Sequence, residues 1–180
     1  IDSNSVVEQG ASIIAIDPSG FNYSHAGGFS GVAQGTINNC SSTVLGAVSA
    51  NGSAGGFTGH AGADIFNSSA TVSGSVSSTG SGGAGGFAGA ISQIISDSSA
   101  VIHDSATISG PSNIGLIAGR NTGTITNTYG TINDASYGNI TFHEDVRNPD
   151  GGNLTESMYL EDNLAYVNGN ISGYNVSANI

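Results

Sequence analysis

The feature that most constrains this chain is a repeat of about 30 residues. The hexapeptide Ala-Gly-Gly-Phe-Ser-Gly at residues 26–31 recurs with small changes at 54–59 and 84–89, and a more distant copy occupies 114–119. Successive copies are offset by 28, 30 and 30 residues. A repeat at a nearly fixed period is the signature of architectures built by stacking similar units. The sequence therefore predicts about four stacked coils.

Three further columns of residues keep the same register in all four copies, two of them apolar and one polar. With the phenylalanine position they are Phe29, Phe57, Phe87 and Ile117; Ile37, Ile65, Ile95 and Ile125; Val44, Val72, Ile102 and Ile132; and Asn39, Asn67, Asp97 and Asn127. Shifting the frame back by 30 residues places Val7 under Ile37 and Ile14 under Val44. This predicts a partial coil before the first full one.

Each unit is predicted to form strands rather than helices. From 70 to 77, small or apolar residues alternate with Thr and Ser, the period of two that is typical of a half-buried strand. Glycines at both ends of each Gly-Gly-Phe-x-Gly segment predict tight bends, so a unit should hold about three short strands. One unit cannot bury its apolar face, but stacked units can. We therefore predict an all-β fold, a β-solenoid over 1–133 with coils about 4.8 Å apart.

Residues 115–129 read Gly-Leu-Ile-Ala-Gly-Arg-Asn-Thr-Gly-Thr-Ile-Thr-Asn-Thr-Tyr. This segment resembles the GLUG repeat, roughly G-G-L-V-G-x-N-x-G-x-I-x-N-S-Y-A, and the resemblance covers about 26–133. The first three copies depart from it, with Phe for Leu and no Asn-x-Gly after the second glycine. Such repeats occur in adhesin-like surface proteins and beside the protease domain of some bacterial immunoglobulin-cleaving metallopeptidases. The resemblance implies a right-handed solenoid in an extracellular or cell-surface setting and brings no catalytic residues with it.

The charge balance excludes two classes of partner. The chain carries 13 acidic residues, two arginines and no lysine, for a net charge of −11. Nucleic-acid binding and docking on an anionic membrane surface both need a basic face. Because the apolar stretches are only four or five residues long, no membrane insertion is expected. No basic stretch precedes an apolar one at Ile1, so any signal peptide is expected to have been removed.

No motif of a known catalytic or metal site occurs, so we predict no enzymatic activity, metal or cofactor. The histidines fall at different phases of the repeat and are not expected to meet: His25, His60, His103 and His143. Cys40 shares a column with Ser68, Ser98 and Thr128, where a small side chain is the simplest requirement. The Asn39 column is interpreted as a corner ladder that hydrogen-bonds along the stack, in preference to a ligand-binding ridge.

Two acidic features are candidate sites. Asp104 and Asp134 share a column one coil apart, so their carboxylates are expected about 5 Å from each other. An acid pair or a shared cation would suit a polysaccharide-cleaving β-helix enzyme, but two solvated acids are the favoured interpretation. Residues 145–153 loosely resemble a calcium loop, yet Pro149 and the missing terminal glutamate favour an ordinary polar turn.

Asn-x-Ser/Thr sequons are about twice as frequent as the composition alone would give. In a host that glycosylates asparagine outside the cell, some would carry glycans on exposed turns. They begin at Asn22, Asn39, Asn51, Asn67, Asn139, Asn153, Asn170 and Asn175.

Both ends of the chain are predicted to offer strands for assembly. Residues 134–180 break the repeat and form an acidic cap or strand segment, whose acids are Asp134, Glu144, Asp145, Asp150, Glu156, Glu161 and Asp162. Its last residues alternate in the way that strand addition to a neighbour requires. The predicted assembly residues are Val6, Val7, Ile13 and Ile14 at one end and Tyr174, Val176, Ala178 and Ile180 at the other. Alternatively, both strands complete the chain's own sheets.

The leading hypothesis is a non-enzymatic extracellular structural subunit that joins copies of itself into a filament or surface layer. A first alternative is an adhesive module of a larger cell-surface protein, which binds a glycan or receptor. A second is a carbohydrate-active enzyme that uses Asp104 and Asp134.

Overall fold

The structure is a computed structural model that describes residues 2–19, 24–103, 105–111, 113–133, 153–155 and 159–160. Every regular element in this part of the chain is a β-strand, and all strand pairs are parallel. The strands stack coil on coil. The predicted all-β solenoid is confirmed.

Each coil contains five strands of two to five residues, where the sequence predicted about three. The first coil contains β1 (Ser3–Val7), β2 (Ser12–Ala15), β3 (His25–Gly27), β4 (Ser30–Ala33) and β5 (Ile37–Asn38). The second contains β6 (Cys40–Val44), β7 (Ala47–Ala50), β8 (Ser53–Gly55), β9 (Thr58–Ala61) and β10 (Ile65–Phe66). The third contains β11 (Ser69–Val72), β12 (Ser75–Ser78), β13 (Ala84–Gly85), β14 (Ala88–Ile91) and β15 (Ile94–Ser96).

The fourth coil contains β16 (Ser99–His103), β17 (Thr107–Ser109), β18 (Ile114–Gly115), β19 (Ala118–Asn121) and β20 (Thr124–Thr126). Three further strands are β21 (Tyr129–Asn133), β22 (Asn153–Thr155) and β23 (Tyr159–Leu160). Strand β21 pairs with β16, β22 pairs with β20, and β23 pairs with β21. Solenoid sheets thus include strands beyond residue 133, although residues 134–152 lie outside the described part.

Equivalent strands of successive coils form five parallel sheets. The first sheet has the order β1-β6-β11-β16-β21-β23, and the second has β2-β7-β12-β17. The third has β3-β8-β13-β18, the fourth has β4-β9-β14-β19, and the fifth has β5-β10-β15-β20-β22.

The apolar columns line the interior in the register that the repeat predicts. Ile65 pairs with Ile37 and Ile95, and Val72 pairs with Val44 and Ile102. Side chains buried in these columns, 1 % exposed or less, are Phe57, Phe87, Ile117, Ile65, Ile95, Ile125, Val44, Val72 and Ile102. In the first coil Phe29 and Ile37 are only partly buried. Ile132 pairs with Ile102 along the backbone, as the column requires.

The predicted register of the first coil is wrong. Val7 pairs with Val44 and does not share a column with Ile37. Ile14 pairs with Ser49 and does not share a column with Val44. The first coil is a complete set of five strands that carries two insertions. A turn with Gly10 at φ 81° adds two residues between β1 and β2, and a longer segment separates β2 from β3.

The glycines of the repeated hexapeptide let the third and fourth sheets fold back on each other. A Cβ at Gly85 would overlap the carbonyl oxygen of Ala88, at the other side of the bend. A Cβ at Gly59 would collide with the backbone of Ala26, one coil away in the third sheet. Because the two backbones are in direct contact, these positions accept only glycine without a rearrangement of the bend.

Candidate functional site

The first coil is an open end of the solenoid as far as the described residues extend. Within the described residues, each of the strands β1 to β5 is hydrogen-bonded to one neighbour, whereas the strands of the second and third coils are paired on both sides. The free side of each first-coil strand presents backbone donors and acceptors in the geometry of a sheet. Such an edge is a template for pairing with another chain.

Exposed apolar side chains are concentrated on the same coil. Of the six large hydrophobic side chains that are exposed in the described part, four belong to it, namely Val6 (47 % exposed), Ile14 (64 %), Ile16 (72 %) and Val32 (40 %). Two of the predicted assembly residues face the other way. Val7 is buried at 5 % exposed, and Ile13 packs against the core. The outward group Val6, Ile14, Ile16 and Val32 is called the apolar rim below.

The strands of the first-coil edge lack the charged residues and prolines that protect many sheet edges from association. Natural edge strands carry lysine, proline, inward charges or bulges. No residue of β1 to β5 is Lys, Arg, Asp, Glu or Pro. The acids of this coil, Asp2, Glu8 and Asp17, lie outside its strands.

The segment that displays Ile16 is held in place by Asn51 of the second coil. The amide nitrogen of Asn51 donates to the carbonyl of Asp17 (3.1 Å), and its oxygen accepts from the backbone N–H of Asp17 (3.0 Å) and from the hydroxyl of Ser24. Asn51 is half-buried. Asn51 is also a predicted glycosylation residue, and a glycan there would compete with the bond to the Asp17 carbonyl because it would attach to the same nitrogen.

The corner ladder is a row of left-handed turns. Asn39, Asn67, Asp97 and Asn127 all have positive φ, between 47° and 56°, and all are exposed. Asn and Asp tolerate this conformation better than other side chains, which explains the column. The amide of Asn127 donates to the Asp97 carboxylate, and the amide of Asn67 donates to Asn38 (3.0 Å). The bond between Asn127 and Asp97 joins two neighbours of the column, whereas Asn38 lies outside the column.

The column that contains Cys40 is a buried hydrogen-bond ladder beside this corner. The backbone N–H of Cys40 donates to the Ser68 hydroxyl, and that of Ser68 donates to the Ser98 hydroxyl, both at 3.2 Å. The Ser68 and Ser98 hydroxyls each donate to the carbonyl two residues earlier at 2.8 Å. The Cys40 thiol makes the equivalent contact with Asn38 at 3.4 Å. A small side chain that can donate is what this position needs.

A shallow polar depression of about 450 Å³ lies on the outer surface of this corner, over the first three coils. It is lined by amides, hydroxyls, one carboxylate and the edge of the cysteine column. The lining residues are Asp2, Ser3, Asn4, Asn39, Cys40, Ser41, Asn67 and Ser69.

Two histidines meet, contrary to the prediction from their phases. The ring centroids of His25 on β3 and His60 on β9 are 5.2 Å apart, with the planes tilted by 53°. They meet because the third and fourth sheets fold back on each other, so residues at different phases become neighbours. The Nε2 atom of His60 lies 3.1 Å from the Ser92 hydroxyl. Burial lowers the pKa of both imidazoles. The neighbouring His60 lowers the pKa of His25 further, and Arg120 lowers the pKa of His60 further.

Several predicted sites fall outside the described residues. They include Asp104 and Asp134, most of 145–153, the terminal residues Tyr174, Val176, Ala178 and Ile180, and the sequons at Asn22, Asn139, Asn170 and Asn175. Asn153 is described only as a backbone residue of β22. In the part of the chain that the structure does describe, no cluster of three or more His, Cys, Asp or Glu side chains could hold a metal ion. Nor does that part contain a helix with the length and apolar character to cross a bilayer.

The chain matches no family model, no curated protein and no solved structure. The likeness to GLUG repeats stays a resemblance carried by residues 115–129 and the related hexapeptides.

Proposed function

We propose that the protein is a non-enzymatic structural subunit that joins copies of itself through the open first coil into an extracellular filament or layer. One observation carries the proposal. The end strands combine free backbone edges with the apolar rim and lack every residue type that usually blocks association. A coil added by a second copy would pair with those edges and reduce the exposure of the rim.

A second copy of the chain fits this edge because its coils repeat the same interior side chains. Each interior column repeats nearly the same side chain from coil to coil, as at Phe29 and Phe57, or Ile37 and Ile65. A coil from another copy would continue these columns with side chains of matching size. If the first coil meets the first coil of the second copy, the contact is isologous. If it meets a different surface, the contact is head-to-tail, and head-to-tail contact that does not close into a ring gives filaments.

The external setting rests on composition and on the exposed sequons. Asn39 and Asn67 lie at exposed turns that are accessible to modification. Only 8 % of the residues are charged, and lysine is absent, which suits a durable exterior material. The GLUG resemblance also supports an extracellular setting.

The test is a charge placed on the apolar rim. The double variant Ile14→Lys, Ile16→Lys should abolish concentration-dependent association, measured by sedimentation velocity, while the thermal midpoint stays near that of the wild type. The matched control is Ile94→Lys, since Ile94 is also exposed, at 39 %, but lies in the third coil. Association that survives the rim variant, or that the control abolishes equally, would contradict the proposal.

The polar depression favours a second candidate function, an adhesive module that binds a polyhydroxylated ligand such as a surface glycan. Its amides and hydroxyls offer the donors and acceptors that sugar hydroxyls need. A glycan array probed with the rim variant separates the two candidates. Binding that is retained by the rim variant and lost on Asn39→Ala, Asn67→Ala would favour the adhesive module.

A further inference from the structure

The contact between His25 and His60 joins the first coil to the second at the open end. His25 lies on β3, an edge strand that is paired only with β8. His60 lies on β9 in the next coil, and its ring is held by the Ser92 hydroxyl of the third coil. The Nδ1 atom of His25 is buried and has no hydrogen-bond partner. The two side chains are called the histidine pair below.

The strands packed around the histidine pair carry no carboxylate that could stabilise an added proton. The strands in contact with β3 are β2, β4, β7, β8, β9 and β14, and His60 is their only titratable side chain. The strands in contact with β9 are β3, β4, β8 and β14, and they add only His25. Arg120 lies two coils beyond His60 in the same column, through Ala90, and its charge opposes protonation of His60.

Burial and these neighbours lower the pKa of both imidazoles from the ordinary value of 6.5. A histidine whose pKa is lowered by folding binds protons more readily when its surroundings open. The pair therefore contributes stability above pH 6.5, and this contribution is lost as the pH falls below that value.

We propose that the histidine pair is a pH-sensitive contact that keeps the first coil closed at neutral pH and lets it open in mildly acidic solution. Protonation of either ring puts a charge into a half-buried site, and protonation of both rings makes them repel each other across 5.2 Å. The first coil yields before the second and third coils because its strands are edges, and edges open at lower free energy than a paired interior. The proposal does not depend on self-assembly; if both hold, acid removes the assembly surface.

The test is amide hydrogen exchange at pH 7.5 and pH 5.0, corrected for the intrinsic exchange rates. In the wild type, protection of residues 24–33 should fall about tenfold or more at pH 5.0, a change of about 1.4 kcal/mol. Residues 84–91, the equivalent strands of the third coil, should change little. The double variant His25→Gln, His60→Gln should show the same protection of 24–33 at both pH values.

Two outcomes overturn the proposal. One is unchanged protection of residues 24–33 in the wild type, and the other is an equal loss in the double variant. Because the double variant could fail to fold, imidazole titration of the wild type by NMR gives a second measure. Titration of His25 and His60 at or above 6.5 would also overturn it. Sedimentation of the double variant at pH 7.5 reports on self-assembly separately.

Discussion

Phe29 stacks on Phe57 with ring centroids 4.8 Å apart and planes only 3° apart, yet Phe57 is fully buried and Phe29 is half-buried. Phe57 is covered on its other face by Phe87, also at 4.8 Å. Phe29 belongs to the first coil, where no described coil covers its second face. The same side chain in the same column is therefore packed on both ring faces in the interior and on only one face at the open end.

This difference predicts unequal costs for the same substitution. Phe57→Ala should lower the free energy of unfolding by about 3–5 kcal/mol, because it leaves a cavity between two rings. Phe29→Ala should cost clearly less, since one face of the ring already lacks a neighbour. Urea denaturation of both variants measures the difference, and equal losses would mean that the first coil is covered in solution.

The bend between the third and fourth sheets predicts a strict requirement for glycine. Gly85→Ala would drive a Cβ into the Ala88 carbonyl oxygen, so the variant should lose several kcal/mol of stability or fail to fold. Gly35→Ala is the matched control, because nothing lies within 4 Å of a Cβ at that position. The control should be neutral or slightly stabilising. Thermal melts that rank the two variants in the opposite order would contradict the account of the bend.

The left-handed corner predicts which residues can replace asparagine. Asn67→Val should lower stability by about 1–2 kcal/mol more than Asn67→Gly, because Asn67 has φ 47° and a β-branched side chain is strained there. Both variants lose the hydrogen bond to Asn38, so their difference isolates the backbone. Chemical denaturation of the pair provides the measurement, and equal stabilities would remove the conformational explanation of the column.

The corner ladder also predicts a pH effect. Hydrogen bonds from Asn127, and then from Ser96, lower the pKa of the Asp97 carboxyl below its ordinary value of 3.8. The stability that this carboxylate contributes is present above pH 3.8 and is lost as the pH falls through the lower folded value. Asn127→Ala should move the pKa back up toward 3.8, as followed by carboxyl NMR titration. No movement would show that the amide does not stabilise the charged form.

The packing of the interior could be predicted because its register is periodic. The register of the first coil could not be predicted. The column from Ile65 to Ile125 follows from spacing alone. The first coil was misplaced because its two insertions break the period, although the Val7 and Val44 strands still pair. Two-residue strands such as Ile65–Phe66 are too short for alternation to reveal, so five strands per coil were counted as three.

The contact between His25 and His60 could not be found from phases along the repeat. It depends on how closely two sheets approach, and glycines such as Gly59, the residue before His60, permit that approach. The glycine pattern did predict a bend but not which strands it would bring face to face. Likewise, the exposure of Ile16 depends on the bonds that Asn51 makes with Asp17, a contact 34 residues apart in sequence.

The most direct test of the central claim is electron cryomicroscopy of the native protein over a range of concentrations. End-to-end joining predicts unbranched filaments whose averaged images carry a meridional spacing of about 4.8 Å, because the strands would run across the filament axis. The predicted subunit repeat is no shorter than about 19 Å, the length of four coils. Isolated particles at every concentration, or filaments without the meridional spacing, would contradict assembly through the first coil.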